Sequence, residues 1–133
     1  MKVQEHGILL FTSSTAGVMG YPYRGPYAAA KWAIVGMTKT LAMELGPYGV
    51  RVNAICPGAV EGNRMDRVVT NEAAVRGIPE KQVRQSYVRG VSMKTWVEAD
   101  DVASMATFLA SPAGAKISGQ VVSVDGHTET LAP

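Results

Sequence analysis

The chain has 133 residues and a mass of 14.1 kDa, which is the size of a single domain. Hydrophobic residues make up 47% and charged residues 18%, a balance that excludes a disordered tail. Thirteen basic and eleven acidic residues give a net charge of +2, and because the basic residues are scattered we expect no nucleic-acid partner. No apolar run approaches the roughly 18 residues of a membrane helix, so we also expect no association with a membrane.

The beginning of the chain and its cysteine content bear on the cellular compartment. The first six residues are polar and lack the apolar core of a signal peptide. Cys56 is the only cysteine, so an internal disulfide is impossible. Both features are typical of a reducing environment and predict a cytoplasmic protein. With two histidines and one cysteine far apart in sequence, no metal site is predicted.

The first half of the chain predicts a strand, a loop and a long helix. The apolar run 7–12 does not alternate with polar residues, which indicates a strand buried on both faces of a parallel sheet. Residues 13–26 are rich in Ser, Thr, Gly and Pro and predict a loop. Residues 27–45 are rich in helix formers and precede Gly46-Pro47, where the helix should end. Because this helix is apolar around most of its circumference, we expect it to be buried on more than one side.

The second half predicts two more strands separated by helices. Residues 50–55 and 120–124 are the strands, and 98–110 is a helix whose predicted inner face is Val102, Met105, Ala106 and Leu109. The intervening stretch 61–94 is more polar and holds two weak helical patterns divided at 77–79. Short apolar strands joined by long crossovers predict an α/β fold with about three parallel strands and flanking helices.

Two residues of the long helix are candidates for acid/base chemistry. Tyr27 and Lys31 are four positions apart, so both side chains project from one face. An ammonium group near a phenol favours the phenolate, and such a pair can exchange a proton with an alcohol or a carbonyl oxygen. The hydroxyls of Ser13 and Ser14 in the preceding loop can hydrogen-bond the same oxygen. The spacing alone favours an ordinary surface pair, so the interpretation depends on the surrounding motifs.

Five motifs follow one another along the chain: TSSTAG at 12–17, YAAAK at 27–31, LAMEL at 41–45, VRVNAICPG at 50–58 and ISGQVVSVDG at 117–126. Together they resemble the short-chain dehydrogenase/reductase family, in particular its 3-oxoacyl-ACP reductases. The resemblance covers nearly the whole chain but only the C-terminal half of the family. It implies the corresponding half of a doubly wound, Rossmann-like parallel sheet and NAD(P)-dependent interconversion of alcohols and ketones.

The resemblance also implies a role for each catalytic position. Tyr27 is the general acid/base. Lys31 favours its phenolate form and hydrogen-bonds the nicotinamide ribose. Ser14 orients the substrate oxygen, whereas the preceding Ser13 matches a position that need not be catalytic.

The implied cofactor contacts are Tyr27, Lys31, Pro57, Gly58 and Val60, with the last three bordering the nicotinamide and its carboxamide. Residues 61–94 match the variable lid over the substrate. The resemblance leaves the choice between NAD and NADP open, because the residue that makes it in the family has no counterpart here.

The chain contains neither Gly-x-x-x-Gly-x-Gly nor Gly-x-Gly-x-x-Gly, the turns that receive the cofactor pyrophosphate. We therefore expect residues 1–133 to form one partial domain, a fragment or a shortened product that lacks the N-terminal cofactor-binding half. Strand 7–12 and helix 27–45 then lose neighbours, which predicts a homo-oligomer. The alternative function is that of an inactive fragment that acts only as a structural or interaction module.

The sequence does not define the small-molecule substrate. A 3-oxoacyl thioester, a sugar and a small cyclic alcohol are all compatible with it. Tyr21 and Tyr23 could line a pocket or pack within their loop. For Met65, Val68 and Val69, helix packing is a better interpretation than substrate contact.

Overall fold

A computed structural model describes residues 1–131, which contain one parallel sheet. Its strands are β1 (Gly7–Thr12), β2 (Val50–Pro57) and β3 (Val121–Val124), in the order β1-β2-β3. The central strand, β2, pairs in parallel with both neighbours and is buried at every position except Arg51. The predicted α/β fold with three parallel strands is therefore confirmed, although β2 continues two residues further than predicted.

Four helices surround the sheet: α1 (Gly25–Leu45), α2 (Asn63–Arg76), α3 (Glu80–Arg89) and α4 (Ala99–Ala110). Helix α1 begins two residues earlier than predicted because Pro26 lies in its first turn, where a proline needs no backbone donor. The polar stretch forms α2 and α3, which separate at Gly77, a residue in the left-handed conformation. Within residues 1–131, no helix is both long enough and apolar enough to cross a membrane.

Helix α4 lies against β2 and β3 and is capped at both ends. At its start the side chains and backbone of Glu98 and Asp101 form a capping box, with the Glu98 amide donating to Asp101 Oδ2 at 2.8 Å. At its end Arg51 Nη1 donates to the Leu109 carbonyl at 2.7 Å, which sets a cation at the negative pole of the helix. The four residues predicted for its inner face are the least exposed of the helix: Val102, Met105, Ala106 and Leu109.

Helix α1 packs on β2, yet it is buried on one side only. Thr38 is fully buried, whereas Trp32 is 49% exposed, Met37 43% and Met43 81%. This differs from the expected burial on more than one side, because nothing within residues 1–131 covers the outer surface of the helix. Trp32 and Met43 are eleven residues, or three turns, apart and share one outer face.

We predict that the 133-residue chain self-associates through this face of α1. Met43→Lys should weaken the association about tenfold, because it places a charge among apolar side chains that would otherwise leave water. The matched control is Val75→Lys, at an 88% exposed position of α2. Sedimentation velocity over a range of concentrations measures both. A chain that stays monomeric throughout contradicts the prediction.

Candidate active site

The loops that follow the three strands meet at one edge of the sheet. The Ser13 amide donates to the Ile55 carbonyl at 2.8 Å, which ties the end of β1 to β2. The Gly58 amide donates to the Val124 carbonyl at 3.0 Å, which ties the end of β2 to β3. The carboxyl edge of a parallel sheet is where α/β proteins bind ligands, so these loops are the natural place for a site.

Helix α1 is hydrogen-bonded to this edge of the sheet through Lys31. Ser13 Oγ donates to the Lys31 carbonyl at 2.8 Å, and Lys31 Nζ donates to the Thr12 carbonyl at 3.2 Å. Tyr27 lies one turn earlier on the helix, with its ring centroid 5.7 Å from Lys31 Nζ. The phenol and the ammonium group are thus neighbours at the end of β1.

The Ser14 hydroxyl faces the same opening from the loop after β1. Its Oγ accepts a hydrogen bond from the Ala16 amide at 3.2 Å. A hydroxyl that accepts in this way keeps its own proton for donation, so Ser14 can hydrogen-bond a ligand oxygen.

The segment after β2 forms the opposite wall. The Val97 amide donates to the Ala59 carbonyl at 2.9 Å, and the Glu61 amide donates to the Val97 carbonyl at 2.8 Å. These two bonds fix the backbone around Val60, whose own amide has no acceptor in the part of the chain that is described. Gly58 allows a close approach to β3, since a Cβ on it would lie 3.0 Å from Asp125 Cβ and Asp125 would have to shift.

One cleft of about 470 Å³ joins these walls. It is lined by every site residue that the sequence predicted, namely Ser14, Tyr27, Lys31, Pro57, Gly58 and Val60. The start of α2, from Asn63 to Met65, forms its rim. The fold therefore brings together residues that are up to 46 positions apart in sequence.

A smaller cavity of about 170 Å³ adjoins the cleft and also reaches Ser14 and Tyr27. Tyr21 lines it, whereas Tyr23 is 91% exposed, so the two tyrosines that the sequence left undecided differ in position. Met65 and Val68 are half-buried and also line it, while Val69 is fully buried in the apolar cluster between α2 and α3.

Sequence reasoning missed Arg24 and Tyr87, which line this smaller cavity together with Arg64. Arg24 precedes Tyr27 by about one helical turn, and this spacing could have indicated that Arg24 lies near the candidate acid/base. Tyr87 lies in α3, 23 residues after Arg64, and no sequence pattern links it to the site.

The lid has its own apolar core in Val69, Ala73 and Val83. Tyr87 and Trp96 pack against it with their ring centroids 5.7 Å apart, so Trp96 belongs to the lid core. Burial and a hydrogen bond from Tyr87 to Glu72 at 3.0 Å raise the pKa of Tyr87 to about 12. The Tyr87 phenol therefore stays protonated at neutral pH.

Cys56 does not take part in this chemistry. It is fully buried at the end of β2, and burial raises the pKa of its thiol. A protonated, inaccessible thiol is not a nucleophile, in agreement with its interpretation as a small core residue. In residues 1–131, no three His, Cys, Asp or Glu side chains come together as a metal site.

The parallel sheet and the cleft at its carboxyl edge define a Rossmann-like α/β protein. The chain belongs to the short-chain dehydrogenase/reductase family, since the family model described as enoyl-(acyl carrier protein) reductase matches residues 1–127.

Known relatives share sequence and structure over nearly the whole chain. It is 38% identical over 127 residues to a D-beta-hydroxybutyrate dehydrogenase of Rhizobium meliloti, covering 95% of this chain and 49% of that protein. It resembles the L-sorbose reductase of Gluconobacter frateurii complexed with NADPH and L-sorbose, with a TM-score of 0.88, 25% identity, and 96% and 49% of the two chains covered. It also resembles an NAD⁺-bound xylitol dehydrogenase, with a TM-score of 0.83, 32% identity and coverage of 93% and 50%. The chain thus spans about half the length of the relatives it matches.

The contact between α1 and the loop after β1 depends on Gly17. We therefore predict that substitutions of two glycines change the free energy of unfolding very differently. A Cβ on Gly17 would collide with Ser13 Oγ and lie 2.8 Å from the Lys31 carbonyl. Gly17→Ala should therefore lower the free energy of unfolding by about 1–3 kcal/mol.

The control is Gly36→Ala in α1, where a Cβ meets nothing within 4 Å. It should raise the free energy of unfolding by about 0.5–1 kcal/mol, since alanine favours the helix. Urea unfolding followed by circular dichroism measures both. Equal effects of the two substitutions would refute the close contact.

Proposed function

We propose that this chain provides the acid/base and nicotinamide-facing half of an NAD(P)-dependent oxidoreductase that interconverts an alcohol and a ketone. The observation that supports this most is the single cleft lined by Ser14, Tyr27 and Lys31 on one wall and by Gly58 and Val60 on the other. A proton donor and a hydrogen-bonding hydroxyl thus face the space in which a substrate oxygen would sit.

In the reductive direction, Tyr27 gives its phenolic proton to the carbonyl oxygen of the substrate. Ser14 donates its hydroxyl proton in a hydrogen bond to the same oxygen, which stabilises the charge that develops there. The reaction forms one O–H bond with the proton from Tyr27 and one C–H bond at the carbonyl carbon. In the oxidative direction Tyr27 accepts the alcohol proton instead.

Lys31 supports both directions. Its ammonium group stabilises the phenolate that Tyr27 becomes after proton transfer. The hydrogen bond from Lys31 Nζ to the Thr12 carbonyl holds the ammonium group near the phenol. Further ammonium protons are free to donate to a ribose hydroxyl.

The residues of the cleft fit the nicotinamide end of NAD or NADP. The Val60 amide, without an acceptor in residues 1–131, can donate to the carboxamide, and Pro57 and Gly58 border the same space. When bound, the nicotinamide supplies or accepts the hydride. The chain has no glycine-rich turn for the pyrophosphate, so this fit concerns the nicotinamide end alone.

Two further expectations belong to this proposal. The exposed apolar face of α1 favours a homo-oligomer, and the small cavity beside Tyr27 favours a small-molecule alcohol or ketone as substrate. The alternative of an inactive module is not favoured, because the relatives of the chain are dehydrogenases and reductases and because Ser14, Tyr27 and Lys31 line one cleft.

Tyr27→Phe tests the proposed acid/base role. In the protein with a complete cofactor site, the substitution should lower kcat by about 10²–10⁴-fold, because it removes the proton donor and little else. Ketone-dependent oxidation of NADH or NADPH measures the effect. The control is Tyr23→Phe, at a 91% exposed position in the loop before α1, which should leave kcat unchanged. Activity retained in Tyr27→Phe would show that another residue transfers the proton.

A further inference from the structure

The smaller cavity beside the cleft is lined by hydroxyl, basic and apolar side chains together. Ser14 and Tyr27 line it together with two arginines, Arg24 and Arg64. Much of the remaining wall is apolar, contributed by Met65, Val68, Val91 and Leu131. A pocket of this kind suits a small molecule that has both a short carbon chain and a negative charge.

Among residues 1–131, no aspartate or glutamate lines this cavity. Neither Arg24 nor Arg64 has a carboxylate partner within 4.0 Å among the described residues.

The carboxylates that lie closest in sequence to Arg64 are already engaged by other cations. Arg84 binds Glu61 at 2.9 Å and also binds Asp66. Arg76 binds Glu72 at 2.7 Å. Within residues 1–131, neither arginine of the cavity forms a salt bridge, and the Arg24 guanidinium lies over the ring of Tyr21, 5.8 Å from its centroid.

Helix electrostatics do not explain the positions of these arginines. Arg24 immediately precedes α1, and Arg64 lies in the first turn of α2. The start of a helix carries a partial positive charge and favours anions, so a cation there is unfavourable for the helix. An anion bound between the two helix starts would be attracted by both guanidinium groups and by both helix dipoles.

We propose that this cavity binds the carboxylate of the substrate, so that the substrate class is a short-chain oxo acid and the corresponding hydroxy acid. The inference rests on the proposed function, because the ketone end of the same molecule is the end that meets Ser14 and Tyr27. Guanidinium groups bind carboxylates through paired, charge-assisted hydrogen bonds. Since a cavity of about 150 Å³ holds benzene, about 170 Å³ accommodates roughly seven non-hydrogen atoms.

A binding experiment on the 133-residue chain tests this inference without requiring turnover. The probes are 3-oxobutanoate and its neutral amide, 3-oxobutanamide, which have the same number of non-hydrogen atoms. Saturation-transfer difference NMR measures the affinity of each probe. We expect the acid to bind at least tenfold more tightly than the amide. Arg24→Met and Arg64→Met should each weaken the binding of the acid about tenfold or more.

The matched control is Arg67→Met, an exposed residue of α2 that does not line the cavity. It removes the same charge from the same helix and should change the affinity less than twofold. Equal binding of acid and amide, equal effects of all three substitutions, or no binding of the acid would each overturn the inference. Arginine-dependent binding of the acid in a protein that fails to reduce it would instead overturn the proposed function and leave the carboxylate site standing.

Discussion

The candidate site depends on the contact between the loop after β1 and helix α1. Ser13 donates to the Lys31 carbonyl at 2.8 Å, while the Lys31 side chain returns to the Thr12 carbonyl at 3.2 Å. This reciprocal pair is possible only because Gly17 has no side chain where the loop meets the helix. It fixes the distance between the serine hydroxyls and the helix face that carries Tyr27, so the acid/base geometry follows from one local packing constraint.

The parallel sheet then sets this contact opposite the segment after β2. Because all three strands end at the same edge, the loop after β1 and the segment that includes Gly58 and Val60 face each other across one cleft. The start of α2 also lines the cleft, and Arg84 of α3 binds both Asp66 of α2 and Glu61. The lid is thus joined electrostatically to the same segment that lines the cleft.

Much of the fold could be predicted from local sequence. One apolar run and two short segments rich in valine identified the three strands, and helix formers followed by Gly-Pro identified the end of α1, because these signals depend on the residues themselves. The six site residues came from the family resemblance, and the fold brings them to one cleft. Their chemical roles remain proposals.

The contacts that could not be predicted join side chains distant in sequence. Arg51 caps α4 through the Leu109 carbonyl, 58 residues away, and nothing around Arg51 indicates this partner. Arg24 and Arg64 likewise meet at one cavity only because α1 and α2 begin at the same edge of the sheet. The burial of α1 was overestimated for a related reason, since apolar composition predicts the need for cover but does not identify what provides it.

The most direct test of the account is an NMR titration of the ¹⁵N-labelled chain with reduced nicotinamide mononucleotide, which carries the nicotinamide end without the second half of the dinucleotide. The account predicts saturable shifts at millimolar ligand, with the largest at the amides of Val60, Gly58 and Lys31, which line the cleft. Shifts that do not saturate, or that cluster away from these residues, would contradict the assignment of this cleft as a nicotinamide site.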